Sequence, residues 1–548
     1  MKATATESTV DKSGTEAAAR GGPSTDRPTA SVDLAPAPTT GAQAAETAGV
    51  PAAPPGFFAL HWPGPGRTAP PAALAAVGVT GLVAAASLPL DRPGIGWLCT
   101  GLAAAAATSV VARRAATSAS PLSIGAKLRR VAWGTATLAL LAVGLFRAAG
   151  WLFTLCVLTA LVTGSLAVGG GTTVAGMVRG AFAVPLAALR ALPWGTRGLA
   201  ALRGATGVSV VRLVATGAVT VLLLGAFGAL FASADAAFAA VAADLLPDIG
   251  IATVIRWIFV FTVVGLGTLG AAYLVSAPPD LDGAGGARRA RLRRVEWALP
   301  VGLLDLLFAG FVLVQLTVLF GGATHVLRTA DLTYAEYARG GFWQLLFVTA
   351  LTLLVLGAAA RWAPRDTMLD RLLVRTLLGA LAALTLVVVA SALYRMHVYE
   401  QAYGFTRLRL FVQAVEVWLG GVFLMVLIAG VRLRARWLPQ AVAASAVAVL
   451  LGLAALNPDR LIAERNIDRY VADGQLDVSY LAELSADAVP ALERLDGPQR
   501  DCAQRFLIDD LRDDPDDWRG FNLARATARD ILAGRSRAAE TACSTWVR

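Results

Sequence analysis

The sequence predicts an all-α protein: a polytopic transmembrane helical bundle of about eleven spans, with a disordered N-terminal tail and a small α-helical extracytoplasmic C-terminal domain. Three observations predict this fold class. Of the 548 residues, 56% are hydrophobic and only 16% are charged, whereas soluble proteins carry about 25% charged residues. Apolar runs of about 20 residues recur, which is the length that crosses a ~30 Å hydrocarbon core as a helix. Arginine-rich segments lie in every second gap between these runs, as expected of loops that stay in the cytoplasm.

The N-terminal residues 1–70 are predicted to be a disordered cytoplasmic tail. Residues 1–55 are rich in Ala, Thr, Ser, Gly and Pro and hold few large apolar side chains. Burial therefore cannot offset the conformational entropy of this segment. The sequence near Met1 has no apolar run of the signal-peptide type, so we expect the first membrane helix to direct insertion.

Residues 71–456 are predicted to be the transmembrane helical domain. The approximate bounds of the candidate spans are 71–90, 94–112, 131–148, 150–168, 208–231, 251–275, 298–320, 342–360, 372–394, 408–430 and 438–456. The third and fourth runs are almost contiguous. Treating them as two spans keeps every later arginine-rich loop on one side of the membrane.

The loops predict the orientation. The even-numbered gaps carry the arginine clusters, for example Arg288, Arg289, Arg291, Arg293 and Arg294 in the sixth gap. The odd-numbered gaps hold fewer arginines, and the fifth gap is acidic. This pattern predicts a cell-membrane protein with its N-terminus in the cytoplasm and its C-terminus outside. Within the fourth gap, residues 180–203 are apolar but interrupted by arginines, which predicts a helix in the membrane interface.

The C-terminal residues 457–548 are predicted to be an extracytoplasmic α-helical domain. Asn457 and Pro458 form an N-cap followed by proline at the first helical position, and Gly474 is a plausible stop. Further helices are expected at about 477–494, 498–512 and 519–533. If the tail lies outside, Cys502 and Cys543 can form a disulfide worth about 4 kcal/mol in the chain-entropy model. The alternative is two unrelated thiols.

Two segments that face outward in this topology are dense in polar and aromatic side chains. One precedes the eighth span, and the other is predicted as the loop between the ninth and tenth spans. Spacings of i, i+4 and i+7 place Arg409, Gln413 and Glu416 on one face of the tenth span, below that loop. The candidate outer-face site consists of Glu336, Arg339, Tyr394, Arg395, His397, Tyr399, Glu400, Arg407, Arg409, Gln413 and Glu416.

These residues support two interpretations. Arginines, a titratable histidine, carboxylates and tyrosines are suited to the walls of a ligand pocket. Alternatively, arginine–glutamate pairs only hold the helices in register, and Glu416 pairs with Arg409. Charges inside a bilayer cost a few kcal/mol each and call for a functional hypothesis; Glu416, Asp305 and Arg256 are of this kind.

No metal, cofactor or nucleic-acid site is predicted. His397 and Glu400 have H-x-x-E spacing, but the chain holds only three histidines and no second ligand pair at helical spacing. The glycines at 169–171 precede two threonines but lack the lysine and the preceding strand of a phosphate loop. The net charge of +10 is divided among separate loops, where it fixes topology.

Several of these segments resemble one bacterial family of multi-pass membrane proteins, named as domain of unknown function 4153/4173. The resemblance is carried by SADAAF (233–238), TYAEYARGGFWQLL (333–346), ALYRMHVYEQAYGFTRLRLF (392–411) and NPDRLIAERNIDRY (457–470). It covers roughly residues 200–535. It implies a helical membrane core with an extracytoplasmic C-terminal part, and it implies no catalytic or ligand residues.

Three classes of function stay open, with the lipid bilayer as surrounding partner. A non-enzymatic component would bind an envelope protein or lipid-linked ligand at its outer face, and a network closed by its own salt bridges would favour it. A transporter of a small solute or ion would show a continuous polar path through Glu416 and Asp305. A transferase acting on a lipid-linked or anionic envelope substrate would show an outward cleft. There, Glu400 or His397 would be the base, and Arg339, Arg395 and Arg407 would clamp phosphate. The sequence leaves the oligomeric state open.

Overall fold

The computed structural model describes residues 62, 64–115, 123–206, parts of 216–235, 251–283, 292–320, 342–433, 435–513, 515–535 and 543. Every regular element in these ranges is a helix. The all-α prediction is therefore confirmed for the described chain. Most of the predicted disordered tail, residues 1–70, and most of the predicted span 208–231 lie outside the described residues. The described end of the tail packs on the bundle: Trp62 is buried, and its Nε1 donates to the Ala277 carbonyl at 3.2 Å.

Apolar helices form the bulk of the fold. They are α1 (Pro71–Ser87), α2 (Ile95–Ala115), α3 (Ile124–Phe146), α4 (Gly150–Gly169), α5 (Val174–Ala181), α6 (Ala183–Thr206), α7 (Ile251–Ser276), α8 (Arg294–Phe320), α9 (Phe342–Trp362), α10 (Met368–Tyr403), α11 (Arg407–Arg432) and α12 (Leu438–Leu456). Within the described ranges, nine of these helices are long and apolar enough to cross a membrane, and α1 is slightly shorter. The protein is a polytopic membrane protein.

The bent pair α5–α6 lies across one end of the bundle. The two helices meet at an angle of 53°. A Cβ added at Gly270 of α7 would lie 2.7 Å from backbone atoms of Val184 and Ala188, and one added at Gly195 would lie 3.2 Å from Leu269. Residues 184 and 195 are about 16 Å apart along a helix, yet both contact the same turn of α7. Helix α6 therefore crosses α7. By length and composition the bent pair α5–α6 could also count as one broken span, so the interfacial helix expected at 180–203 stays a prediction.

Helix α10 is longer than its apolar run. It contains 36 residues, begins at a capping box formed by Thr367 and Asp370, and ends at Gly404, whose φ of 78° needs glycine. The prediction of a loop from residue 394 onward is wrong. Tyrosines, charged groups and His397 lower the hydropathy there, but residues 394–403 contain no glycine or proline, so the helix continues to Gly404.

The bundle has two distinct ends. The arginine end contains the last turns of α2, α4, α7, α9 and α11, together with α5 and α6. The tail end contains the turns after α1, α3 and α10 and the described part of the C-terminal segment, which is residues 457–513, 515–535 and 543. The antiparallel contacts of Gly81 with Phe261 and of Thr137 with Thr163 fix this alternation in the first half of the bundle.

The C-terminal segment folds onto the tail end. Its elements are α13 (Pro458–Asp473), α14 (Val478–Ala482), a 3₁₀ turn (Ala486–Ala488), α15 (Val489–Leu492), α16 (Gly497–Asp513) and α17 (Leu523–Leu532). The predicted helix 477–494 is broken into three short pieces. Gly474 ends α13 with a φ of 72°, whereas the side chain of Asn457 makes no capping bond. Cys502 and Cys543 form a disulfide.

One hydrophobic cluster joins the C-terminal segment to the membrane helices. Leu140 of α3 and Leu152 of α4 belong to the same buried cluster as Ile462, Leu481 and Leu492. The segment therefore packs against the bundle through its own core.

Candidate functional site

The described members of the candidate site lie on either side of the turn at Gly404. Glu336 and Arg339 fall outside the described residues. The other nine belong to the last turns of α10 and the first turns of α11. These two helices pack against each other as an antiparallel pair, which brings Glu400 and Gln413 together.

Arg407, which is partly exposed, forms an ion pair with a fully buried carboxylate of the C-terminal segment. Its Nε and Nη2 donate to Oδ1 and Oδ2 of Asp459 at 3.0 and 2.6 Å. Asp459 is fully buried and also accepts from Trp151 Nε1 at 3.1 Å and Ser485 N at 2.9 Å. Burial alone would raise the pKa of Asp459, but Arg407 and the other donors hold that pKa below its ordinary value. Arg407 thus connects α11 to the C-terminal segment.

Arg409 binds the end of α10. Its Nη1 donates to the carbonyl oxygens of Tyr403, at 3.0 Å, and of Gly404. Its guanidinium carbon lies 4.4 Å from the centre of the Tyr399 ring. A cation at a helix C-terminus is favourable because the last carbonyls carry partial negative charge. The alternative pairing of Arg409 with Glu416, which the spacing allows, does not form.

Glu400, Gln413 and Glu416 form a buried polar line between α10 and α11. Gln413 Nε2 donates to Glu400 Oε2 at 3.0 Å. Glu400 is 1% exposed and Glu416 is 3% exposed. Glu400 Oε1 and Glu416 Oε2 are buried and have no hydrogen-bond partner among the residues that the structure describes. Glu416 lies about 14 Å along α11 from the tail end, so it reaches into the hydrocarbon depth.

The remaining candidates face in other directions. Arg395 Nη2 donates to Gln315 Oε1 of α8 at 2.6 Å, and that oxygen also accepts from Ser391. His397 is exposed and its Nε2 lies 3.0 Å from Gln401 Nε2. Tyr394 is also exposed. The described residues of the predicted site therefore do not converge on one pocket.

Sequence reasoning missed a set of contacts that complete the ends of membrane helices. Asp487 Oδ2 accepts from the backbone N–H groups of Ala148 and Ala149, at 2.7 and 2.9 Å, at the start of α4. Burial raises the pKa of Asp487 despite these donors. Asn522 Nδ2 donates to the carbonyls of Gly144 and Arg147 at the end of α3, at 2.8 and 2.9 Å.

Two more helix ends are completed in the same region. Backbone N–H groups of Ile95 and Gly96, which begin α2, donate to carbonyls of Phe521 and Arg519 at 3.1 and 3.0 Å. Arg147 Nε donates to the Ala454 carbonyl at the end of α12 at 2.6 Å. Helix ends need such partners because their terminal backbone groups have none within the helix. The signal that could have pointed to this region is Arg147, a charged residue in the very short turn between α3 and α4.

The glycine-rich turn at 169–171 holds an internal carboxylate. Asp282 accepts from the backbone N–H and hydroxyl of both Thr172 and Thr173, at 2.8 to 3.1 Å. Burial would raise the pKa of Asp282, but these threonine donors hold the pKa below its ordinary value. The donors of this turn, at the arginine end, are thus already occupied.

The fold and these contacts define the class: a multi-pass helical membrane protein whose C-terminal segment closes one end of the bundle. The model of the family described as "Domain of unknown function (DUF4153)" matches residues 135–495. This is well over half of the chain, and the protein belongs to that family. The match includes Arg407, Asp459 and Asp487 and ends before Cys502. Comparison with curated proteins gives no match, and comparison with solved structures gives none.

Proposed function

We propose that this protein is a non-enzymatic cell-membrane component that binds an envelope partner or ligand at its extracytoplasmic face. The observation that carries the proposal is the closed network at the tail end. Arg407 is held by Asp459 and Arg409 by carbonyl groups, so these arginines support a docked C-terminal segment and not a substrate clamp. A folded segment packed on the bundle offers a preformed surface that is suited to a partner.

The charge distribution supports the orientation. Arginines crowd the ends of α2, α8 and α9 at the arginine end, which by the positive-inside rule is the cytoplasmic side. The Cys502–Cys543 disulfide belongs to the opposite end. Disulfides persist in oxidising compartments outside the cytoplasm. Both features favour a cytoplasmic N-terminus and an external C-terminal segment.

Cysteine labelling in intact cells tests this orientation. Single cysteines are introduced at Ala472, exposed at the tail end, or at Ala435, exposed at the arginine end. Cys99 and Cys156 are replaced by alanine and the native disulfide is kept. A membrane-impermeant maleimide is expected to label Ala472→Cys in intact cells and Ala435→Cys only after lysis. The reverse pattern would exclude the external face.

Photo-crosslinking tests the partner. Val471 is 79% exposed on α13 and is suited to a crosslinking amino acid, with Val431 at the arginine end as matched control. A discrete adduct from Val471 alone, with wild-type protein level, is the expected result. Failure to crosslink from Val471 and from the exposed Trp518 would contradict partner binding.

A transporter of a small solute or ion is the second candidate, and buried carboxylates favour it. Within the described ranges, both carboxylate oxygens of Asp305 in α8 are buried without a hydrogen-bond partner, and so is one carboxylate oxygen of Glu416. Such groups in a bilayer are costly and mark ion or proton pathways. Proteoliposomes with wild-type protein should then show a solute or proton flux that Glu416→Gln and Asp305→Asn abolish. Equal flux in all three preparations would remove this candidate.

The transferase has less support than the other two. Its described clamp residues, Arg395 and Arg407, already bind Gln315 and Asp459. His397 is exposed on α10. None of these contacts places an arginine pair around a common substrate position.

A further inference from the structure

A charged cavity of about 220 Å³ lies at the tail end, between the membrane helices and the C-terminal segment. Three elements form it: the turn between α1 and α2, the first turns of α7, and the stretch before α17. They contribute three arginines and three aspartates, Arg92, Arg256, Arg519, Asp91, Asp516 and Asp517. None of these residues belongs to the candidate site described above.

The most buried carboxylate of the cavity is already neutralised. Asp516 accepts from Arg525 Nε at 2.9 Å, and its Oδ2 lies 2.9 Å from Arg529 Nη2. Arg92 Nη1 donates to it at 3.3 Å. Burial alone would raise the pKa of Asp516, but Arg525 and Arg529 hold the pKa below its ordinary value. This carboxylate therefore repels an incoming anion only weakly.

The other two carboxylates are paired as well. Asp517 lies 2.6 Å from Arg519 Nε and accepts from the Gly520 N–H at 2.9 Å. Asp91 accepts from Arg92 Nε at 2.7 Å. Among the described residues, Arg92, Arg256 and Arg519 of the lining and Arg525 and Arg529 behind it accompany three aspartates, an excess of two positive charges. Such an excess in a partly enclosed cavity attracts anions.

Among the described residues of the cavity, Arg256 is an arginine without a carboxylate partner. Burial alone would raise the pKa of Asp91, but Arg92 and, through space, Arg256 hold that pKa below its ordinary value. Arg256 nevertheless forms no ion pair within the described part of the chain. Since Arg256 lines the cavity, it is available to a ligand.

The cavity lies at the membrane surface. Arg256 is about 8 Å along α7 from its first residue, close to the level where lipid phosphates meet hydrocarbon. The sequence neighbours of the lining residues include exposed apolar side chains, among them Ile255 at 62% and Trp518 at 61%. Tryptophan is enriched at this level of membrane proteins. The cavity therefore adjoins surface that is suited to lipid.

We infer that this cavity binds a phosphate group, carried by an anionic phospholipid or by free phosphate. Guanidinium groups match phosphate oxygens in geometry and charge. Arg256 supplies the unpaired charge, and Arg92 and Arg519 line the cavity beside it. This inference names a ligand class for the proposed function. It rests on that function only for the assignment of the cavity to the external side of the membrane.

Binding by purified full-length protein with its disulfide intact tests the inference in two arms. Native mass spectrometry measures phosphatidylglycerol retained from nanodiscs that also contain phosphatidylcholine. Calorimetry measures binding of inorganic phosphate in neutral detergent. In whichever experiment detects binding, Arg256→Gln is expected to lower the affinity by about tenfold or more, because one charge-assisted contact is lost. The matched control Arg460→Gln, at an exposed arginine paired with Glu464, should leave binding unchanged.

The outcomes separate the ligand sources. Retained phosphatidylglycerol without phosphate binding identifies a lipid, and phosphate binding identifies the free anion. Arg256→Lys should retain part of the affinity, which distinguishes lost charge from lost folding. Equal binding by wild type and Arg256→Gln in both arms, or no binding by wild type, would overturn the inference. Neither binding experiment depends on the orientation of the protein in the cell. A reversed cysteine-labelling pattern would therefore refute the external location of the cavity and leave the phosphate-binding inference unaffected.

Discussion

The two ends of the bundle use charge in different ways. At the arginine end, cations crowd the helix termini, as Arg113 and Arg114 do in the last turn of α2. At the tail end, charged groups are buried and paired across long stretches of sequence, as Arg407 is with Asp459. The first arrangement specifies which side a loop occupies. The second specifies which distant parts of the chain must meet, so one end determines orientation and the other determines assembly.

Removing the disulfide should produce the largest difference between the ends. Replacing Cys502 and Cys543 by alanine opens a loop with a sequence separation of 41, worth about 4 kcal/mol in the chain-entropy model. We expect rapid protease cleavage within the C-terminal segment and unchanged cleavage in the loops of the arginine end. Limited proteolysis with mass spectrometry measures both. Equal protection of variant and wild type would mean that packing alone holds the segment.

Asp459→Asn should have the next largest effect. It removes the countercharge of Arg407, whose side chain is 32% exposed, so we expect a loss of about 2 kcal/mol in the free energy of unfolding. Asp468→Asn is the matched control, because the Asp468–Arg494 pair is about half exposed and should contribute under about 1 kcal/mol. Detergent-solubilised protein unfolded by SDS, followed by circular dichroism, gives both values. Similar losses would contradict the assembly role of the buried pair.

Asp459→Asn also tests the pH dependence of the free energy of unfolding. The folded-state pKa of Asp459 lies below its ordinary value. The ion pair therefore contributes fully above the ordinary pKa, and its contribution is lost as the pH falls through the folded-state pKa. Asp459→Asn should flatten the acid side of the stability curve. An unchanged acid slope would show that other carboxylates dominate it.

Gly94→Ala should have an intermediate effect at the tail end. A Cβ there would lie 2.5 Å from the Arg519 carbonyl oxygen and 2.8 Å from Gly520 Cα, so backbone must move, at a cost of about 1–3 kcal/mol. Gly78→Ala in α1 meets nothing within 4 Å and should be neutral or slightly stabilising. Melting temperatures in detergent compare the two. Equal shifts would contradict close docking of residues 519–520.

Asp282→Asn should have the smallest effect, at the arginine end. The introduced amide would keep one acceptor oxygen for the donors of Thr172 and Thr173, so the loss should be about 1 kcal/mol. Because the folded-state pKa of Asp282 lies below its ordinary value, its contribution is present at neutral pH and falls away in acid. Melting temperatures at neutral and acid pH measure this. A loss as large as that of Asp459→Asn would contradict the expectation that buried charged groups stabilise the tail end more than the arginine end.

Local patterns predicted most of the fold and little of the site. Apolar length predicts a helix at nearly every described span because the bilayer imposes that length. The end of α10 was missed because Tyr394 and His397 lower hydropathy without breaking a helix. Arg407 was recognised as important, but its partner Asp459 is 52 residues away. Asp487 and Asn522 bind backbone groups more than 300 residues earlier. Because nearly every residue type has the same backbone N–H and carbonyl groups, the sequence does not indicate such a contact.

The caps at the tail end also set an order for biogenesis. The residues that complete the ends of α2, α3 and α4 are synthesised only after α12. These helices therefore enter the membrane before the backbone groups at their ends have these hydrogen-bond partners. The partners become available only when the C-terminal segment docks. A product that stops after α12 would keep the described spans and still carry exposed helix ends. Such a truncated chain should be a substrate for membrane proteases, so docking of the C-terminal segment distinguishes an assembled bundle from an unfinished one.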